Sequence, residues 1–206
     1  GIPLIIDNAY GMPFPNIIYS DVTLNWHENI ILCFSLSKVG LPGVRTGIIV
    51  AAPEVVKAVS SLNAIVNLSP TRFGAAIATP LLQDGRLKQL SDNIIRPFYR
   101  NQAQTAVSLL KRELGAYPLK IHKPEGAIFL WLWFENLPVS SQTLYEMLKA
   151  EGTLIIPGEH FFVGIDTQDY PHARECIRMS IAQDAQTLEK GIAAIGRVGR
   201  GLYDAA

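Results

Sequence analysis

The sequence predicts an α/β protein in which a long helical stretch separates two strand-bearing regions. Three observations carry that expectation. Short unbroken apolar runs occur at residues 4–6, 30–34 and 47–52, too short for helices and rich in Ile, Val and Leu. Segments with helical apolar spacing follow, the longest at 86–114, and strand-like runs resume from Tyr117. With 206 residues, 49% of them apolar, the chain suits one large domain or two small ones around a sizeable core.

Residues 4–6 have the character of a strand covered on both faces, as in a parallel sheet. The turn cluster Asp7-Asn8-Ala9-Tyr10-Gly11 ends it. Ligands of open α/β sheets gather at the carboxyl ends of strands, so Asp7 and Tyr10 fall where a site is expected. Residues 12–28, with Pro13, Pro15, Asn16 and Asn25, read as an irregular loop whose Phe14, Tyr19 and Trp26 pack. The second strand, 30–34, leads into Ser35-Leu36-Ser37-Lys38-Val39-Gly40-Leu41-Pro42-Gly43-Val44-Arg45-Thr46-Gly47. This turn concentrates hydroxyls, glycines and positive charge around one lysine. Hydroxyls and an arginine can hold phosphate oxygens, and a partly desolvated lysine can react with a carbonyl. A solvated lysine in a flexible turn is the competing reading.

The third strand, 47–52, precedes a helix over 53–65 opened by Pro53 and Glu54. A second helix, about 72–82, carries the small residues Gly74, Ala75, Ala76 and Ala78 for close packing. The stretch 86–114 has an apolar stripe, a kink expected at Pro97, and Gly115 as its stop. Its Arg96, Arg100, Lys111 and Arg112 read as a solvated face. A strand through 127–133, a helix over 142–150 capped by Ser140 or Ser141, a strand around Arg178 and a closing helix over 185–200 complete the pattern. Arg178 sits among apolar neighbours, where its charge is costly unless it meets an anion, either a carboxylate ligand or a structural salt bridge.

Equal numbers of basic and acidic residues, 18 each, give no support for nucleic-acid binding. No apolar run reaches the ~20 residues of a membrane span, and Gly1-Ile2-Pro3 carries no signal-peptide n-region. Cys33 and Cys176 lack metal-ligand spacing and read as buried thiols of a reducing compartment. The four histidines, at 27, 122, 160 and 172, read as surface or loop residues. The expectation is a cytoplasmic protein without metal, membrane or nucleic-acid partner.

Ser-x-Ser-Lys followed by Pro-Gly-x-Arg resembles the lysine signature of fold-type-I pyridoxal-phosphate aminotransferases, in a branch whose lysine-to-arginine loop is one residue shorter than the best-known form. Asp7-x-x-Tyr10, Pro124-Glu125-Gly126-Ala127-Ile128-Phe129, Pro157-Gly158 and Ile177-Arg178-Met179-Ser180 follow in the family's order, with Ala127 where the family has a second glycine. The resemblance implies an aspartate-aminotransferase-like α/β fold: residues 1–84 as the end of the large domain, 85–115 as the interdomain helix, 116–206 as the small domain. It implies pyridoxal 5'-phosphate as cofactor, Lys38 as its covalent anchor and acid–base group, and Asp7, Tyr10, Ser35, Ser37 and Arg45 as cofactor contacts. Arg178 would grip the carboxylate of an amino or keto acid. Residues 35–43 and 122–134 are most similar to members that exchange an amino group between valine and pyruvate. A homodimer is expected. The resemblance covers only the C-terminal half of such enzymes, so the chain is expected to be a fragment, inactive alone. Another pyridoxal-phosphate enzyme, such as a different aminotransferase or a C–S lyase, remains open, as does the cofactor-binding sensor domain of a transcription regulator.

Overall fold

The computed structural model describes residues 2–68, 71–167 and 169–206. It divides into two compact units, 1–98 and 99–206. The first holds a three-stranded sheet in the order β1 (Leu4–Asp7), β2 (Ile30–Ser35), β3 (Gly47–Val50), with β1 and β2 parallel and β3 antiparallel to β2. Parallel pairing puts the carboxyl ends of β1 and β2 side by side, Asp7 in register with Cys33. Helix α1 (Pro53–Val66) and helix α2 (Phe73–Gln83) follow, then α3 (Arg86–Leu90).

Four buried residues, Phe14, Leu36, Ala78 and Leu87, form this unit's core, with Phe34, Val39, Leu41, Val44 and Ile48 against it. The small residues of α2 make the contact possible: a Cβ on Gly74 would lie 1.9 Å from Thr46 Oγ1 and 3.2 Å from Val44 Cβ. The expectation that β1 is covered on both faces is not met. It is an edge strand with one partner among the described residues, and Leu4 and Ile5 are 55% and 66% exposed. Helix α1 buries none of its residues. Trp26, expected to pack, is exposed.

The stretch expected as one kinked helix is three pieces: α3, a π-helical turn at Ser91–Ile95, and α4 (Arg96–Leu114). Pro97 accounts for the break. In an unbroken α-helix its ring would strike the carbonyl four residues back, and a wider turn just before it relieves that clash. Arg96 is also not a solvated residue. It donates to the backbone oxygens of Asn16 and Ile18 and to Asn16 Oδ1, tying down the 12–28 loop.

The second unit holds a four-stranded sheet in the order β4 (Leu119–Ile121), β5 (Phe129–Phe134), β7 (Cys176–Ser180), β6 (Ile156–Pro157), antiparallel throughout. Helix α5 (Ser141–Ala150) starts at Ser140, whose Oγ accepts the Thr143 N–H at 3.2 Å. A short helix α6 (Pro171–Glu175) precedes β7, and α7 (Ala185–Asp204) closes the chain. Alternation sets the two sheet faces. Leu130, Leu132 and Phe134 of β5, with Ile177 and Met179 of β7, enter a core shared with α4, α5 and α7. Phe129, Trp131, Trp133 and Arg178, at the alternate positions, are half-buried.

Candidate active site

In the first unit the lysine turn hangs on its apolar residues. Leu36 is fully buried, its N–H donates to the Thr46 carbonyl at 3.1 Å, and its own carbonyl accepts the N–H groups of Val39 and Leu41. The polar residues between stay half-buried or exposed. Ser35 Oγ accepts the Ser37 N–H at 3.2 Å, and Ser37 Oγ accepts from Arg45 Nη1 at 3.4 Å. Gly40 (φ +96°) makes the left-handed step that reverses the chain after Lys38, and Arg45 itself adopts φ +47°. Lys38 Nζ lies 5.7 Å from the centroid of the Tyr10 ring. Asp7, exposed at the end of β1, accepts the Ala9 N–H on Oδ1 at 3.1 Å, an Asx-turn, and its second oxygen has no protein partner among the described residues. The carboxyl ends of β1 and β2 therefore gather an amine, a phenol ring, a carboxylate, two hydroxyls and a guanidinium. Among these groups, Arg45, Ser35 and Ser37 have the chemistry to bind a phosphate, Asp7 to accept from a ring N–H, and Lys38 to condense with a carbonyl.

Arg178 belongs to the second unit. It occupies the middle of β7, in register with Trp131 on one side and Ile156 on the other. Its guanidinium carbon lies 4.1 Å from the Phe129 ring centroid and 4.8 Å from that of Phe161. Among the described residues no carboxylate pairs with it, so the salt-bridge alternative finds no partner. Beside it is a pocket of about 270 Å³ whose lining includes His122, Lys123, Gly126, Phe129 and Trp131. A larger cavity, about 660 Å³, between residues 151–155 and α7 contains none of the expected site residues. The sequence did not single out Phe129 and Phe161 as functional. The pairing of β5 with β7 puts Phe129 beside Arg178, and the Pro157-Gly158 turn delivers Phe161: a Cβ on Gly158 would lie 2.6 Å from the Cys176 carbonyl and 2.7 Å from that of Ala173. Ala127 adopts φ +63°, the left-handed backbone that favours the glycine expected there.

His172 departs from its surface reading. It is half-buried, packs edge-on against Trp133 with centroids 4.7 Å apart, and lies 3.6 Å (Nε2) from Cys176 Sγ. Burial pushes the Cys176 thiol up to about 11. Among the described residues no cluster of His, Cys, Asp or Glu could hold a metal ion, and no helix is long and apolar enough to cross a membrane.

The fold is that of pyridoxal-phosphate transferases of the aspartate-aminotransferase type. The family profile described as Aminotransferase class I and II matches residues 1–195, and the chain belongs to that family, whose members depend on pyridoxal phosphate. It is 45% identical over 192 residues to a valine–pyruvate aminotransferase of Escherichia coli (strain K12), covering 93% of this chain and 46% of the relative. A solved putative amino-acid aminotransferase from Psychrobacter arcticum 273-4 superposes with a TM-score of 0.95 at 71% identity, over 100% of this chain and 47% of that one. The valine–pyruvate aminotransferase AvtA of Salmonella typhimurium LT2 gives 0.90 at 42%, over 100% and 53%. The chain thus spans about half the length of these relatives.

Proposed function

We propose that this chain carries the lysine and the substrate arginine of an aminotransferase that exchanges the amino group between valine and pyruvate, giving 2-oxoisovalerate and alanine. The observation that carries the reading is the turn itself: Lys38 over the Tyr10 ring, with Arg45 bonded to Ser37, where β1 and β2 end. When bound, pyridoxal phosphate supplies an aldehyde that condenses with amines and a pyridine ring that withdraws electrons. Lys38 would hold that aldehyde, and its amine, once freed by the substrate amine, would take the proton from the substrate α-carbon as a base and give it up as an acid at the former aldehyde carbon. Asp7 would accept from the ring N–H and favour the cationic ring. Tyr10 would contact the ring's phenolic oxygen, and Arg45, Ser35 and Ser37 would bind the phosphate. Arg178 binds the substrate carboxylate through two parallel hydrogen bonds.

Valine is supported by the 45% identity to a valine–pyruvate aminotransferase. A methylene more or less is worth only about 1–3 kcal/mol in an apolar pocket, so neighbouring aliphatic amino acids should also react. A homodimer accords with the apolar residues exposed on α1, among them Val56, Val59, Leu62 and Ile65, and sedimentation of the holoenzyme as a monomer would count against it. The free thiols Cys33 and Cys176 accord with a reducing, cytoplasmic compartment. Single-turnover mixing of the holoenzyme with valine or alanine tests the reaction. Release of 2-oxoisovalerate and pyruvate, abolished in K38A, is expected; no keto acid from either substrate would overturn the reading.

A further inference from the structure

We propose that Phe129 and Phe161 are positioning residues that clamp the Arg178 guanidinium, fixing its plane while leaving its N–H groups for a ligand carboxylate. The inference rests on the reading of Arg178 as the substrate-carboxylate group and adds what gives that arginine its affinity. Arg178 is half-buried on a central strand, yet among the described residues its donors find no protein acceptor. A guanidinium in that position needs compensation for lost water. The two rings provide it, at 4.1 and 4.8 Å from the guanidinium carbon, inside the range of cation–π attraction.

Rings attract the cation through its π-faces and compete for none of its hydrogen bonds. A carboxylate partner would have stabilised the charge equally well but would have filled the donor edge that a substrate must use. The clamp is itself braced. Trp131 meets Phe161 edge to face with centroids 5.2 Å apart, and Trp131 is the direct cross-strand neighbour of Arg178. Phe129 is held by β5 and Phe161 by the Gly158–Phe161 turn, so two separate elements meet at one side chain. Preorganising the fork in this way reduces the side-chain freedom lost on binding, which appears as ligand affinity. A lysine at 178 would still be attracted to the rings, but it has no planar fork for them to orient toward a carboxylate.

The test is the affinity of the holoenzyme for isovalerate, which has valine's carbon skeleton and carboxylate but no amine and cannot turn over. Calorimetry should show Kd rising roughly three- to thirtyfold in F129L and in F161L, with F129Y and F161Y close to the parent because the ring is restored. The kinetic preference for valine over isobutylamine, which lacks the carboxylate, should fall by a similar factor. Phe161 is 42% exposed, so F161L carries the test if F129L fails to fold. Unchanged isovalerate affinity in F161L, where R178K does weaken binding, overturns the clamp alone. Unchanged affinity in R178K overturns the underlying reading of Arg178 and the clamp with it.

Discussion

Leu36→Ala is the most informative single change in the first unit, because the lysine turn is suspended from that side chain. Leu36 is 0% exposed and belongs to a cluster of four buried residues among the described residues of this unit. Removing three carbons from water-free surroundings forfeits about 2.4 kcal/mol of transfer free energy at ~0.8 kcal/mol each. The residual cavity adds to this. Phe14 lies in the 12–28 loop, Ala78 in α2 and Leu87 in α3, so they cannot close the gap together and the total should reach about 3–4 kcal/mol. Native-state hydrogen exchange read by mass spectrometry separates this from a general effect. Peptides covering residues 30–50 should lose protection by that amount, while peptides from β5 and β7 keep theirs. A loss below about 1 kcal/mol, or one spread equally over both units, would refute the argument that a small core around Leu36 holds the turn.

Three further changes test other parts of the account. Ala127→Gly should raise the stability of the second unit by about 0.5–1.5 kcal/mol in urea denaturation, since Ala127 is held at φ +63°; a destabilised variant would mean that the alanine methyl contributes packing. The Asp92 carboxyl is held below its usual range by hydrogen bonds from Lys88 and then Asn16. Its contribution is therefore present above about pH 4 and is lost as pH falls below that, so D92N should flatten the acid limb of a melting-temperature profile, and an unchanged limb would contradict the link. The Cys176 thiol, pushed up to about 11 by burial, should alkylate at pH 8 roughly 10²-fold more slowly than an unfolded cysteine; labelling at the unfolded rate would show that it is not buried.

Much of the secondary structure was legible because each element is locally consistent. Pro53 opens α1, Ser140 caps α5, and the strand runs are short and apolar. The candidate site residues were named from motif order, and the fold puts Asp7 at the end of β1 and Lys38 and Arg45 in the turn between β2 and β3. Three features were not. Apolar continuity in residues 4–6 reports what could cover a strand, and cannot report that β1 has a single neighbour here. The π-helical turn arises from a clash between Pro97 and a carbonyl in the preceding turn, which alters helix type without altering apolar spacing. The rings beside Arg178 come from residues 49 and 17 positions away, and only the β5–β7 register and the close approach at Gly158 bring them together. Contacts set by strand pairing are non-local, so no window along the chain contains them.

The central claim is that the amine of Lys38 captures an aldehyde cofactor. Borohydride reduction of the holoenzyme, followed by peptide mapping, tests it directly. The account predicts one phosphopyridoxyl label per chain, on the peptide containing Ser35, Ser37 and Lys38. A label on any other lysine, or no label at all, would contradict it.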